Sequence, residues 1–332
     1  MNRKKLFALL LAFLMLFSFC GCDYLSDALS FLKGQKEKEP TVEPADPTEP
    51  DIPADPNWPV TVAGIEIPKT PEKVAVLSPS LAEYLYDMKL LDKVSALCDF
   101  CDFGDEAKKY PSVGSANLPD WEALSELSPR YLLTASPLTE SALLELQQRD
   151  CAVLLFSVPT NFEELEALYR DLALFFLGAE DGAAFGESYV TEYRAEKAAA
   201  VYSGEKTSAA FLRAMDRVML TGDGLAGELI AGCFENVAGS CAGFEYPEED
   251  WKAFDPSVIF VGGNVHLADL ETSDLYKKKA AVKGDKVFSA DLDVLSLGSL
   301  RSFRVLRDMM ATVYEDYTGG AALSPAYPSI YS

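Results

Sequence analysis

The sequence predicts an α/β protein: two α/β lobes with mostly parallel central sheets, joined by a single long helix. Three observations carry this. Between residues 60 and 180, short apolar runs alternate with amphipathic helical stretches across short connections, the pattern of a parallel sheet covered by helices. The same alternation restarts after residue 204. Between the two blocks, Asp181 to Tyr202 contains no proline, keeps its glycines near its start and stops at Ser203-Gly204, so it reads as one helix.

The chain begins with Arg3, Lys4 and Lys5, followed by an apolar run from Leu6 to Phe19. That run is short for a membrane span and suits the apolar core of a signal peptide. Phe19-Cys20-Gly21-Cys22 then resembles a bacterial lipobox, with Cys22 as the lipidated first residue after cleavage. Phe19 and Cys20 depart from the usual residues there, and an uncleaved anchor is the alternative. Either way the expected location is extracytoplasmic, lipid-anchored to the cell membrane. Residues 1–21 are therefore expected to be signal peptide. Residues 22–59, rich in Pro, Glu and Asp, are expected to form an extended, disordered tether.

The first lobe is expected over 60–180. Val60–Val62 and Ile65–Ile67 form a hairpin around Ala63-Gly64, and Lys73–Leu77 is a buried strand. Ser78 offers a cap for a helix over Leu81–Leu91. Lys93–Leu97, Tyr131–Thr134 and Ala152–Phe156 are strands, while Leu118–Leu127, Thr139–Arg149 and Phe162–Leu177 are helices, the last capped by Asn161. The linking helix is placed at 181–203, where Phe185, Tyr189 and Tyr193 fall on one face. With glycines only in its first turns, it should be a stiff spine allowing small lobe movement. The second lobe is expected over 204–320, with strands at Ser208–Arg213, Val218–Thr221, Ser257–Val261 and Lys286–Phe288. Helices follow at Leu225–Phe234, Leu275–Ala281 and Phe303–Tyr317, and 321–332 reads as a tail.

Composition excludes some classes of function. With 29 basic and 52 acidic residues, the net charge of −23 lacks the basic footprint of a nucleic-acid binder and disfavours electrostatic docking on anionic lipid. No Gly-x-Ser-x-Gly, His-Glu-x-x-His or P-loop pattern occurs, and one histidine restricts general-base chemistry. No enzymatic activity, catalytic residue, resident metal or cofactor is expected.

The order of elements and several phrases resemble the substrate-binding lipoproteins of ABC importers for iron-siderophores, haem and cobalamin. The phrases are Pro71-Glu72-Lys73-Val74-Ala75-Val76-Leu77-Ser78-Pro79-Ser80-Leu81-Ala82-Glu83, Tyr110-Pro111-Ser112-Val113-Gly114, Phe254-Asp255-Pro256-Ser257-Val258-Ile259-Phe260 and Ala280-Ala281-Val282-Lys283-Gly284-Asp285-Lys286-Val287. Ser128-Pro129-Arg130 and Cys233 depart from the usual pattern. The resemblance implies a monomeric binding protein that captures a large metal-containing ligand between two lobes and delivers it to an importer permease. It further implies that Glu83 and Glu228, at equivalent places in the first helix of each lobe, face the permease. Cys98-Asp99-Phe100 ahead of Tyr110-Pro111 looks like the cleft loop of cobalamin-type members, so a corrinoid ranks first, with a ferric siderophore or haem second. An extracytoplasmic enzyme, or a surface binding protein outside transport, on the same scaffold is the alternative.

Ligands of open α/β sheets lie beyond the carboxyl ends of the strands. That rule selects Ser78, Ser80, Asp99, Phe100, Phe103, Trp121 and Ser136 in the first lobe. In the second it selects Arg217, Tyr246, Trp251, Asn264, His266 and Arg301. The aromatics would supply area for a flat ligand, and the arginines would meet carboxylates. His266 is either a metal ligand or a hydrogen-bonded surface residue. Cys98-x-x-Cys101 fits a cleft loop, a plain surface loop, or metal or redox chemistry. Cys233 and Cys241 could bridge, but spacing alone sets no connectivity.

Overall fold

A computed structural model describes residues 55–323 apart from Asp102 and Asn264. The expected signal peptide, Cys22, most of the tether and residues 324–332 lie outside the described residues. Within them, apolar runs become two parallel sheets. The first lobe opens with a hairpin, β1 (Val60–Val62) and β2 (Ile65–Ile67). It continues with β3 (Val74–Val76), α1 (Pro79–Asp87), β4 (Ala96–Leu97), α2 (Trp121–Leu127), β5 (Tyr131–Thr134), α3 (Glu140–Gln148) and β6 (Ala152–Leu155). Two helices follow, α4 (Phe162–Leu177) and α5 (Ala179–Ala199). The second lobe holds β7 (Ser208–Leu212), α6 (Gly224–Cys233), β8 (Glu235–Asn236), β9 (Val258–Val261), α7 (Leu267–Thr272), α8 (Ala280–Lys283), β10 (Val287–Ser289), α9 (Leu292–Leu295) and α10 (Leu300–Val313).

The lobes repeat one topology. The first sheet runs β4-β3-β5-β6 and the second β8-β7-β9-β10, all parallel. In each lobe the first strand pairs with the second on one side and the third on the other, so each sheet has a switch point beside its first strand. β3, β5 and β9 are buried along their whole length, because helices cover both faces and leave no polar side to alternate. Oxygen-bearing caps start the helices: Ser78, Asp120, Thr139, Asn161 and Ser299 each accept a backbone N–H of the first turn. Each such cap contributes about 1 kcal/mol.

The linking element differs from the single helix expected. α5 begins two residues earlier and ends sooner than the sequence suggested, and α4 lies along it in the opposite direction. Phe162 of α4 meets Tyr193, Tyr169 meets Tyr189 and Tyr193, Arg170 pairs with Glu187 at 2.6 Å, and Glu166 pairs with Arg194. Gly178 turns the chain between them at φ 85°, ψ −170°, a conformation open essentially only to glycine. Asn57 then seals the start of α5: its Oδ1 accepts from the backbone N–H of Glu180 and Asp181 at 3.0 and 2.9 Å. Gly182 lets the helices close on each other, since a Cβ there would sit 2.8 Å from the Ala173 carbonyl oxygen.

Smaller differences concern the second lobe. Val218 and Met219 make isolated bridges rather than a strand, on a tight turn where Asp216 and Arg217 both have positive φ. The helix expected at Leu275–Ala281 is a set of turns until α8, because Tyr276 is anchored in an aromatic cluster with Trp251 and Phe254. α7, which carries only two strongly apolar side chains, was not expected. Among the described residues no helix is long and apolar enough to cross a membrane.

Candidate functional site

The carboxyl ends of the strands place the candidate cleft. In the first lobe, Ser78 follows β3 and Ser136 follows β5, at the switch point. Ser78 is buried, and its Oγ lies 2.9 Å from that of Ser80. Ser136 is exposed. Asp99 follows β4 and is tied down on both sides: its N–H donates to the Gly114 carbonyl at 2.7 Å and its Oδ1 accepts from Ser112 Oγ at 2.5 Å. Phe100, next along, is 84% exposed. Trp121 is half-buried at the start of α2, where it packs on the lobe core.

Two lobes meet at a cavity of about 340 Å³. Pro159 and Thr160 line it from the loop after β6, and Leu220, Thr221, Phe244 and Ser296 line it from the second lobe. Exposed apolar side chains lie on the loops beyond the strands: half-exposed Phe244 lines the cavity, Val158 follows β6, Phe100 follows β4, and Leu118 lines a separate pocket with Thr139 and Ala142 at the start of α3. Sequence reasoning passed over Leu118 and Val158. The signal was available, because each is a large apolar residue inside a loop beyond a strand end.

Several of the expected contact residues are packed against neighbouring rings. Phe103 is buried and stacks on Tyr86, with ring centroids 4.9 Å apart. Tyr246 is buried against Trp251 and Phe254. Trp251 stacks on Phe254 at 4.3 Å and donates its Nε1–H to the Leu275 carbonyl at 3.3 Å. These rings fill the second lobe beneath its rim and offer little face to a ligand. His266 caps α7, its backbone N–H donating to Asp269 Oδ2 at 3.0 Å, and is half-buried. Asn264 is outside the described residues. Among those residues no group of three or more His, Cys, Asp or Glu side chains is arranged to hold a metal ion.

Arg217 and Arg301, selected from sequence, and Arg213 just past β7 already face carboxylates. Arg217 lies 3.4 Å from Glu245 and 3.5 Å from Glu248. Arg213 donates to Asp293 at 2.8 Å and lies over the Phe244 ring, 5.0 Å from its centroid. Arg301 lies 3.2 Å from Glu83 and 4.0 Å from Asp291.

The last of these corrects the expected role of Glu83. It is 3% exposed, and its Oε1 accepts from Ser299 Oγ at 3.3 Å as well as meeting Arg301. A carboxylate so buried presents no surface to a permease. It belongs to a latch between the lobes: Tyr84 donates to the Leu297 carbonyl at 2.9 Å, and Asp87 Oδ2 accepts from the Leu300 N–H at 2.8 Å, covering an orphan donor at the start of α10. Burial pushes the Asp87 carboxyl up to about 7, against the lowering effect of the Leu300 N–H, with Glu83 adding to the rise and Arg301 and Arg304 opposing it. Glu228 keeps the expected exposure on α6, with Lys197 Nζ 2.6 Å from its Oε1. A larger cavity of about 570 Å³ runs along α5 beside Asp87 and Arg304. It lies by the carboxyl end of α1, away from the strand ends, and is a groove of the spine rather than part of the cleft.

The periplasmic binding protein family profile matches residues 74–294. The chain is 24% identical over 276 residues to YvrC, an uncharacterized ABC transporter substrate-binding lipoprotein of Bacillus subtilis, covering 78% of this chain and 87% of that one. Its fold is similar to that of a periplasmic heme binding protein from Pseudomonas aeruginosa, with TM-score 0.60, 17% identity, and 78% and 99% of the two chains covered. It is also similar to the periplasmic vitamin B12 binding protein BtuF of Vibrio cholerae, with TM-score 0.54, 15% identity, and 73% and 97% covered.

Proposed function

This chain belongs to the periplasmic binding protein family, and we propose that it captures a large metal-containing ligand between its lobes, outside the cytoplasm, and delivers it to an ABC importer permease. One observation carries the reading: loops from the carboxyl ends of both sheets line a single cavity, with exposed Phe244 in its wall and further exposed apolar side chains on loops beyond the strands. Phe100 follows β4 and Val158 follows β6, at opposite edges of a four-stranded sheet. Three strand spacings separate those edges by ~14 Å. That span suits a macrocycle better than a small ion. The names of the heme and vitamin B12 binding neighbours point to the same ligand size.

A corrinoid ranks first and a ferric siderophore or haem second. Arg213, Arg217 and Arg301 are each already met by carboxylates, so a triscatecholate with several negative charges would find few free cations at the rim. The lipobox-like Cys22 supports a lipid anchor, as does the lipoprotein name of the Bacillus subtilis relative. Glu228, exposed on the second lobe, is the docking residue that this structure favours. Tryptophan quenching of the chain by cyanocobalamin, haemin and ferric siderophores, corrected for ligand absorption, tests the reading. Saturable quenching by cyanocobalamin at micromolar levels is expected. Quenching by an iron complex alone reverses the ranking, and no saturable binding of any of them defeats the proposal.

A further inference from the structure

Cys98 directly follows β4, and Cys101 lies three residues on in the loop that forms the first lobe's lip. Both are free thiols, and their sulfurs are 3.3 Å apart. The turn that brings them together runs through Phe100, whose φ of 66° is unusual for an aromatic residue. The two cysteines are not equivalent. Cys98 is buried, next to a backbone pinned by the Asp99–Gly114 and Asp99–Ser112 bonds, whereas Cys101 is partly exposed. The contact between the two sulfurs holds the Cys101 thiol below its ordinary range. That same contact, and then burial, push Cys98 up. A partly exposed sulfur 3.3 Å from a buried one is the arrangement of an attacking and a resolving thiol.

We propose that Cys98 and Cys101 form a redox-active dithiol on the lip of the cleft, closing to an intramolecular disulfide by exchange with low-molecular-weight disulfides. The placement at the ligand lip rests on the binding-protein reading above, but the chemistry does not. The Cys101 thiolate attacks one sulfur of an external disulfide RSSR, breaking its S–S bond and releasing RS⁻. The Cys98 sulfur then attacks Cys101 in the mixed disulfide and expels the second RS⁻, and the two thiol protons pass to the released thiolates. The net change is protein dithiol plus RSSR to protein disulfide plus 2 RSH. Two electrons move from the protein to the external disulfide.

The other described cysteines are poorly placed to compete. Burial pushes the Cys151 thiol up to about 11 and the Cys233 thiol up to about 12, and Cys233 donates to the Ala200 carbonyl at 3.1 Å. Cys241 is partly buried and has no described sulfur beside it.

The test uses the full chain in detergent micelles, equilibrated in glutathione buffers of rising oxidised fraction, then denatured, alkylated and digested for peptide masses. The peptide carrying Cys98 and Cys101 is expected to pass from doubly alkylated to unalkylated, two hydrogens lighter, in one reversible step, while Cys151 and Cys233 stay fully alkylated. In Cys98→Ser, Cys101 is expected to accumulate as a mixed disulfide with glutathione. In Cys101→Ser, Cys98 is expected to stay unmodified. Persistence of both thiols in fully oxidised glutathione, dimers linked through these cysteines, or no glutathione on Cys101 in Cys98→Ser would overturn the proposal. No ligand enters this experiment, so its failure is separable from failure of the binding-protein reading.

Discussion

Replacing Asp87 by Asn should make the protein more stable above neutral pH while removing a negative charge from the lobe latch. The carboxyl ordinarily titrates at 3.8 and is pushed up to about 7 in the fold. Between those values the unfolded chain has released the proton that the folded chain still holds. The folded state then binds more protons, so stability falls as pH rises, and it levels off above pH 7. Roughly three units at about 1.4 kcal/mol each set a ceiling of about 4 kcal/mol. Asn keeps an oxygen that can accept the Leu300 N–H but replaces a carboxyl O–H by an amide N–H₂ in a buried site, a loss of about 1 kcal/mol. Asp87→Asn is therefore expected to gain about 1–3 kcal/mol at pH 8 and nothing at pH 4. Urea unfolding of residues 54–332, wild type and variant, at intervals from pH 4 to pH 8 measures this. Titrating groups away from Asp87 contribute equally to both proteins and cancel in the difference. A stability difference that stays constant across that range, or a variant weaker at pH 8, would refute the reasoning.

Other substitutions probe the remaining joints. Gly178→Ala forces a Cβ to within 2.5 Å of the Asn57 Cβ at a φ of 85°, and should cost about 2–3 kcal/mol by denaturant midpoint. Asn57→Ala, which only uncaps α5, should cost about 1 kcal/mol in the same assay. Phe100→Ser and Leu118→Ser should leave stability within about 0.5 kcal/mol, yet weaken binding of the ligand identified by quenching roughly tenfold. Equal affinity would remove the apolar lip from the site. Glu83→Ala should cost about 3–5 kcal/mol by leaving Arg301 short of its buried partner. Glu228→Ala should cost under about 1 kcal/mol and instead reduce ligand uptake by cells, so undiminished uptake would end its docking role.

Much of the fold was legible because local pattern decided it. Val74–Val76 and Val258–Val261 read as fully buried strands from uninterrupted apolar residues, and Ser78, Thr139 and Asn161 read as caps from their chemistry. The two helices of the spine were each visible, but their side-by-side packing was not. That packing depends on Gly178 reversing the chain and on Gly182 admitting a neighbour, and a lone glycine does not announce either. The latch was hidden for a similar reason. Glu83 reads as a solvated first-turn acid until Arg301, far along the chain, folds onto it. For the cleft, loop position beyond strand ends was legible, whereas which aromatic faces outward was not. Phe100 and Phe103 are the same residue type in one loop, and only the tertiary partner Tyr86 draws the second inward. The packing of Tyr246 and Trp251 was hidden likewise, since an aromatic cluster filling a lobe has the same composition as one lining a pocket.

The paired helices α4 and α5 give the linker the mechanics of two struts braced side by side. The Arg170–Glu187 and Glu166–Arg194 pairs act as cross-ties, and the rings of Tyr169, Tyr189 and Tyr193 as filler between them. Such a frame resists flexure within the plane that both struts share far more than torsion about their common axis. A single rod would favour neither direction. Loading and unloading of the cleft should therefore register as a small roll of one lobe against the other, a change of twist with little change in the distance between their centres.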